Sequence, residues 1–303
     1  MSATAAAQCA APLVITGASG FVGRALMAHW GPSSRAMSLR DPSLDWHHTL
    51  AGAGTVVHLA ARVHVMRESA ADPLEAFRQA NVHASVRLAR CAVEAGVKRM
   101  VFLSSVKVLG EHSAPGHPLN EADTPAPEDA YGQSKWEAEL ALDALARETG
   151  LELVIIRAPL VYGPGVKANF AALLRAVRAG WPLPLGAVNN RRSLLGLDNL
   201  VEFINLCCHH PAAANQTFLV SDGKDISTAQ LIGHMAQALG CPSRTFSVPM
   251  PWLRLAGRLL GRSAAVDRLC GNLQVDISKA EKLLAWTPSH SIDEGLQHAV
   301  SAL

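Results

Sequence analysis

The stretch Leu13-Val-Ile-Thr-Gly-Ala-Ser-Gly-Phe-Val-Gly23 decides how this chain of 303 residues folds. Leu13 to Thr16 is a short apolar strand, and a helical pattern runs from Phe21 to Trp30. Between them Gly17 permits a tight turn, Gly20 lets the backbone approach a pyrophosphate, and Gly23 allows close helix–strand packing. The open N–H groups and positive end of the helix favour the same anion. Ser19, Phe21 and Val22 share the turn with the three glycines, and together they form a candidate dinucleotide site. Glycines alone are a weak signal; the strand before and the helix after give them meaning.

Working outward, short apolar runs alternate with helical patterns through the first 160 or so residues. Arg35 to Leu39, Thr55 to Leu59, Met100 to Ser104 and Leu153 to Arg157 read as strands; Glu75 to Ala95 and Asp129 to Thr149 read as helices. This alternation predicts an α/β fold, a Rossmann-type doubly wound parallel sheet. Beyond it, Thr217 to Val220 returns as a strand, while the intervening segments turn at Pro and Gly. The expected division is a dinucleotide-binding domain over 1–166 with a return segment at about 193–222. A smaller, discontinuous C-terminal substrate lobe takes 167–192 and 223–303.

Composition suits one large core with a second lobe, at 49% hydrophobic and 17% charged residues. Lys and Arg total 27 against 25 acids with no block of one sign, so a nucleic-acid partner is not expected. The cysteines Cys9, Cys91, Cys207, Cys208, Cys241 and Cys270 show no zinc-like spacing and read as small apolar residues. No metal site is expected, and a reducing, cytoplasmic setting is. The first eleven residues are Ala-rich without Lys or Arg and read as a disordered lead-in rather than a signal peptide. One segment, Pro251 to Arg262, sets Arg254, Arg258 and Arg262 at four-residue spacing among Leu and Trp. It fits an interfacial helix, or a lobe helix with one wet basic face; membrane contact is not the expected reading.

The chemistry centres on Tyr131-Gly-Gln-Ser-Lys135, which places Tyr131 and Lys135 one helical turn apart on one face. A phenol with a pKa near ~10 is a poor base at neutral pH, and a neighbouring ammonium is expected to lower that value. Ser105, at a strand end, can hydrogen-bond the same substrate oxygen. Near the adenosine end, Arg40 suits the ribose phosphate of NADP and Asp41 the ribose hydroxyls of NAD, unless the two form a solvated pair. Only fourteen residues lie between Arg40 and Thr55, so the third strand of the usual pattern is expected to be abbreviated or absent. His58, inside an apolar strand, reads as a packed histidine rather than a base.

These residues, with Val57 to Ala61, Asn81, Leu103 to Ser105, Arg157 to Gly165 and Leu284-Ala-Trp-Thr-Pro288, resemble the NAD-dependent epimerase/dehydratase family. These are the extended short-chain dehydrogenases, and the resemblance spans nearly the whole chain. It implies that Tyr131 is the acid/base, Lys135 its activator and Ser105 an orienting hydroxyl. It places Leu59, Ala60, Ala61 and Pro159 beside NAD or NADP, and matches Asn81 to a structural Asn grouped with the cofactor site. It also matches Asn169, Leu185 in Pro182 to Gly186, and Arg192 to contacts with a nucleotide diphosphate and its base. Arg192 is otherwise part of an ordinary charged loop. Arg268 aligns loosely as a second phosphate ligand. The partner implied is a UDP-sugar substrate, and the assembly a homodimer.

Departures narrow the reaction. The 4,6-dehydratases that these motifs resemble carry Asp-Glu after the catalytic hydroxyl, where this chain has Val106 and Lys107. Dehydration is therefore not expected, and Lys107 faces either the sugar or solvent. Leu160 and Leu109 replace an Asn and a Tyr of the best-known 4-epimerases, which leaves the sugar open. The leading expectation is hydride and proton exchange at the 4-position of a UDP-hexose or UDP-N-acetylhexosamine, serving surface polysaccharide synthesis. The alternatives are an NADPH-dependent reductase of a 4-keto-6-deoxy sugar nucleotide or other small carbonyl, and a non-catalytic NADP-binding regulator.

Overall fold

The computed structural model describes residues 12–41, 43–63 and 72–301. The lead-in expected over the first eleven residues, with Cys9, lies outside them. Strands run in chain order as β1 (Leu13–Thr16), β2 (Ser34–Met37), β3 (Thr55–His58), β4 (Arg99–Ser105), β5 (Glu152–Ala158), β6 (Leu160–Tyr162), β7 (Leu194–Gly196) and β8 (Gln216–Leu219). Six of them form one parallel sheet in the order β2-β1-β3-β4-β5-β8, and β6 pairs with β7 apart from it. The order reverses between β1 and β3, which opens a crevice at the carboxyl ends of those strands. This is the Rossmann-type α/β sheet expected from the alternation.

Burial on both faces explains the near-continuous apolar strands. Leu13, Ile15, Val57, Val101, Val154 and Ile156 face one core with α1 (Phe21–Trp30). Val14, Val56, Met100, Phe102, Leu153 and Ile155 face the other, against α2 (Trp46–Leu50), α4 (Ala84–Glu94) and α5 (Ala130–Thr149). Between α2 and α4 lies α3 (Pro73–Arg78), continued into α4 by a π turn over Gln79–His83. The chain then adds α6 (Ala168–Arg178), α7 (Leu197–His209), α8 (Thr228–Ala238), α9 (Met250–Leu259), α10 (Ser263–Cys270), α11 (Ser278–Leu284) and α12 (Ile292–Ser301). Of these, α7 and α11 pack with α1 in the first core, Cys207 and Cys208 included. A third cluster, from Phe170 and Leu174 through Ile232 and Met235 to Leu296, joins α6, α8 and α12. Residues Leu273 to Trp286 contribute to the first core rather than to this one.

Between β2 and β3 the five-residue α2 is the one helix or strand among the described residues, so the third strand, expected to be abbreviated or absent, is absent there. Each outer strand of the sheet, β2 and β8, is four residues long. Arg35 on β2 donates to the carbonyls of Thr49 (3.2 Å) and Ala51 (2.8 Å) at the end of α2. On β8, the Lys279 ammonium reaches the Thr217 carbonyl at 2.9 Å, and the Leu219 N–H donates to Glu121 at 2.7 Å.

One ion pair sits inside the sheet–helix interface. Ser104 and Arg157 are register partners on β4 and β5, and both reach Glu139 on α5. Arg157 Nη2 lies 2.7 Å from Glu139 Oε2, with side chains only 6% and 2% exposed. Removing one partner of such a pair strands a buried charge, which costs far more than losing a surface pair. Arg157→Leu should therefore lower unfolding free energy by about 3 kcal/mol or more in urea titrations. Arg147→Leu, which breaks the exposed pair with Asp143, should cost less than about 1 kcal/mol.

Candidate active site

The glycine turn has the shape its sequence requires. Gly17 adopts φ +72°, and a Cβ there would lie 2.8 Å from the Ala60 nitrogen. Gly20 donates its N–H to the Gly17 carbonyl at 2.9 Å. A Cβ on Gly23 would come within 2.2 Å of the Gly17 oxygen, so the third glycine is needed by the turn itself. No side chain caps α1, which leaves its first N–H groups directed at whatever anion enters. These features fit the pyrophosphate of a dinucleotide.

A cleft of about 1060 Å³ extends from this turn across the carboxyl ends of the strands. It is lined by Gly17, Ser19, Gly20, Phe21, Val22 and Gly23, then by Leu59, Ala60 and Ala61, and at its other end by Ser105, Tyr131, Lys135 and Pro159. Arg40 and Asp41 close the adenosine end. There the Asp41 carboxylate is turned onto Ser43, accepting from its N–H at 2.9 Å and its hydroxyl at 2.6 Å. These bonds hold Asp41 below the usual carboxylate range, and Arg40 is the exposed charge left facing the cleft.

At the inner end, Asp129 caps α5 by accepting from the Gly132 N–H at 2.7 Å, which fixes the turn carrying Tyr131. The Ser105 side chain hydrogen-bonds the Tyr131 hydroxyl. Burial, reinforced by the Asp129 carboxylate and only partly offset by Ser105, pushes Tyr131 up to about 12. This is opposite to the direction expected from an ammonium beside the phenol. Instead Lys135 Nζ lies 4.0 Å from the centroid of the Phe102 ring, with the side chain 2% exposed. Burial brings Lys135 down to about 7, against the pull of Glu139 one turn on. The phenol is thus neutral at pH 7, beside a lysine balanced between its two protonation states.

A line of buried hydrogen bonds connects the two ends of the cleft. The Ala60 N–H donates to Thr16 Oγ1 (3.3 Å), which lies 2.7 Å from His58 Nδ1. His58 Nε2 lies 2.7 Å from Ser85 Oγ, and Ser85 donates onward to the Asn81 carbonyl at 2.6 Å. Because Ser85 spends its proton there, His58 donates from Nε2 and accepts from Thr16 at Nδ1. Asn81 then donates to Ser134 (2.9 Å), and Ser134 to the Tyr131 carbonyl (2.8 Å). Asn81 also brackets Arg62, accepting from its N–H at 2.7 Å and donating to its carbonyl at 3.0 Å. Asn81 therefore sits behind the cleft, holding the loop after β3 against α5, rather than in its lining.

The NAD dependent epimerase/dehydratase family model matches residues 13–221. The chain belongs to that family. A UDP-glucose 4-epimerase of Vibrio cholerae is 48% identical over 263 residues, covering 86% of this chain and 80% of that protein. An N-acetyl-alpha-D-glucosaminyl-diphospho-ditrans,octacis-undecaprenol 4-epimerase of Escherichia coli O157:H7 is 28% identical over 94% of each chain. Among solved structures, a UDP-glucuronic acid 4-epimerase from Bacillus cereus in complex with NAD superposes with a TM-score of 0.77. It is 18% identical and covers 96% of each chain, a likeness of fold. As an epimerase/dehydratase-family chain, this is an enzyme of the extended short-chain dehydrogenases, and its cofactor is NAD or NADP.

Other family-matched positions stand away from the cleft lining. Val106 is buried in the first core, and Lys107 pairs with Glu111 and, at 2.6 Å, with Asp129. Neither offers an acid/base pair for eliminating water. Arg192 is half-buried and donates Nη1 to the carbonyls of Arg268 (2.7 Å) and Gly271 (3.1 Å), with Glu111 nearby. Arg192 and the α10 end bearing Arg268 are thus brought together. Asn169 is exposed on the first turn of α6. The Leu185 side chain belongs to the third core. Reading the sequence misses Asp129, whose signal is its place as a cap two residues before Tyr131, and Phe77, whose ring meets Tyr131 edge-on at 6.2 Å.

Two outcomes follow from this geometry. Gly23→Val should abolish NAD binding in fluorescence titration while the far-UV circular dichroism keeps its α/β shape. Burial, aided by the charge of Lys135, holds His58 down to about 3, against 6.5 for a free histidine. Below 6.5 the unfolded chain takes up a proton that folded His58 refuses. Stability is full above that value and is lost as pH falls towards 3. Between pH 6 and 4 the wild-type unfolding free energy from urea titration should fall more steeply than that of His58→Gln, by up to about 1.4 kcal/mol per pH unit.

Proposed function

We propose that the enzyme inverts the 4-hydroxyl of a UDP-linked hexose or N-acetylhexosamine. The observation that carries the reading is the Ser105–Tyr131 hydroxyl pair, set with Lys135 at the inner end of the same cleft whose outer end is the glycine turn. The 48% identity to a protein named UDP-glucose 4-epimerase supports it, and the E. coli relative named above is again a 4-epimerase of a diphosphate-linked sugar. Gly17 to Gly23, with Ala60 and Ala61, hold the dinucleotide. Bound there, it supplies hydride acceptance and return at the sugar carbon.

The remaining work belongs to the chain's own groups. Ser105 donates a hydrogen bond to the sugar oxygen O4 and fixes it beside the phenol. Once its own proton has been released to water in the cleft, Tyr131 as the phenolate takes the O4 proton as a ketone forms at C4, and gives it back once the opposite face has been attacked. Lys135, near its own midpoint at neutral pH, is charged when the phenol must be ionised, and the Coulomb attraction offsets the burial that otherwise keeps Tyr131 neutral. The diphosphate lies towards Arg192, Arg268 and Asn169, in a lobe drawn from 167–192 and 223–303; the apolar cluster of α6, α8 and α12 supports it, while 273–286 pack in the first core. A cytoplasmic role in surface polysaccharide synthesis, as a homodimer, completes the reading.

A second reading has one observation in its favour. With Asp41 committed to Ser43, Arg40 is the charge presented to the adenosine ribose, which suits NADP and a 4-keto reductase. Incubation with single UDP-hexoses and UDP-N-acetylhexosamines, without added nicotinamide, separates the two. Epimerisation should give the C4 epimer by chromatography and mass spectrometry with no lasting absorbance at 340 nm. Net consumption of NADPH on a 4-keto-6-deoxy sugar, with no epimer formed, would establish the reductase instead. Tyr131→Phe should lower kcat by about 100-fold or more while NAD affinity stays within about twofold.

A further inference from the structure

Helix α9 carries two apolar faces, and only one of them is used. Leu253 and Gly257 turn inward; a Cβ on Gly257 would lie 2.6 Å from Val266 of α10. At about 100° per residue, Trp252, Leu255 and Leu259 fall on the opposite side. They are 64%, 45% and 79% exposed, and Leu260 just beyond is 75% exposed. Arg254 and Arg258 border this stripe, and Arg262 continues their spacing. The wet face is therefore apolar with a basic margin, not the simple basic face that a lobe helix would show. Isolated exposed leucines are ordinary, but a row of Trp and Leu aimed away from the protein is not.

Charge around the helix is mostly of one sign, with Asp267 of the neighbouring α10 as the acid beside it. No Asp or Glu occurs between Asp225 and Asp267, nor between Glu152 and Asp198. The helices α6, α8 and α9 thus contribute only cations or neutral groups, in a chain whose overall charge is just +2. Two more exposed aromatics, Trp181 and Phe246, flank the bridge that pairs Leu183 with Thr245 ahead of α9. Aromatic and leucine side chains ringed by arginine match the boundary between acyl chains and anionic headgroups.

We propose that α9 is an interfacial helix that seats this enzyme on an anionic lipid surface. Trp252, Leu255, Leu259 and Leu260 enter the acyl–headgroup boundary, and Arg254, Arg258 and Arg262 meet the lipid phosphates. The helix lies on the surface, since no helix among the described residues is long and apolar enough to cross a membrane. A second copy on this face would set the arginines against their own equivalents about a twofold axis, so lipid is the better complement. The inference stands independently of which sugar is turned over.

Flotation of the full-length protein with vesicles tests it. The protein should float with mixed phosphatidylglycerol/phosphatidylcholine vesicles, stay below with pure phosphatidylcholine, and be released by raised salt. The double variant Trp252→Ser/Leu259→Ser alters only exposed side chains and should keep NAD binding while losing vesicle affinity at least roughly tenfold. Arg254→Gln/Arg258→Gln should lose the preference for anionic lipid. The proposal fails if anionic vesicles leave the wild type unbound, or if the Trp252/Leu259 variant floats as the wild type does. It also fails if sedimentation velocity shows a concentration-dependent dimer that this variant abolishes while no vesicle binds either protein.

Discussion

The two halves of the cleft are tied together by a line of buried and half-buried hydrogen bonds that runs through Asn81. It begins at the backbone of Ala60, beside the glycine turn, and ends at the backbone of Tyr131. Every hydroxyl and ring nitrogen along it has its donor and acceptor assigned by its neighbours, so the line has one consistent proton arrangement. His58 is its centre, and burial keeps that ring neutral across the pH range in which the enzyme would work. A packed histidine thereby acts on the site without touching a ligand: it sets where β3 hands the chain to the cofactor loop.

Below this line runs a second, ionic one. Ser104, Glu139 and Arg157 form a buried triad under Lys135, and Glu139 stands one helical turn from that lysine. The carboxylate favours the charged lysine, but burial, the larger effect, favours the neutral one and brings Lys135 down to about 7. Tyr131 experiences the reverse: burial and Asp129 both hold its proton. Burial thus moves the two groups in opposite directions, raising the phenol and lowering the ammonium.

Much of this is visible in the residues alone. The glycine turn, the strands about it and the Tyr131–Lys135 spacing are local patterns, and local patterns survive folding. The missing third strand is legible as a simple shortage of chain after Arg40. Other features depend on what meets what. The β6–β7 pair joins two three-residue segments far apart in sequence, too short to signal a strand. The direction of the Tyr131 shift depends on burial, which spacing cannot report. Leu185 follows the expected extended segment yet turns its side chain into the lobe core. In α9 the periodicity is plain, but only the packing of Leu253 and Gly257 reveals which face is spare.

The sheet's two outer strands bear on how this molecule can meet others. Unpaired strand edges invite a neighbouring chain to add a strand of its own. Here each edge is four residues long, and at β8 the Thr217 carbonyl and Leu219 N–H are already occupied by Lys279 and Glu121. At β2, Arg35 lays a charged side chain along the rim on its way to α2. Both rims are thereby guarded against templated growth, and growth of the sheet beyond six strands is discouraged from either side. That leaves the helical surfaces to meet a neighbour, and contacts between helices do not template a growing sheet.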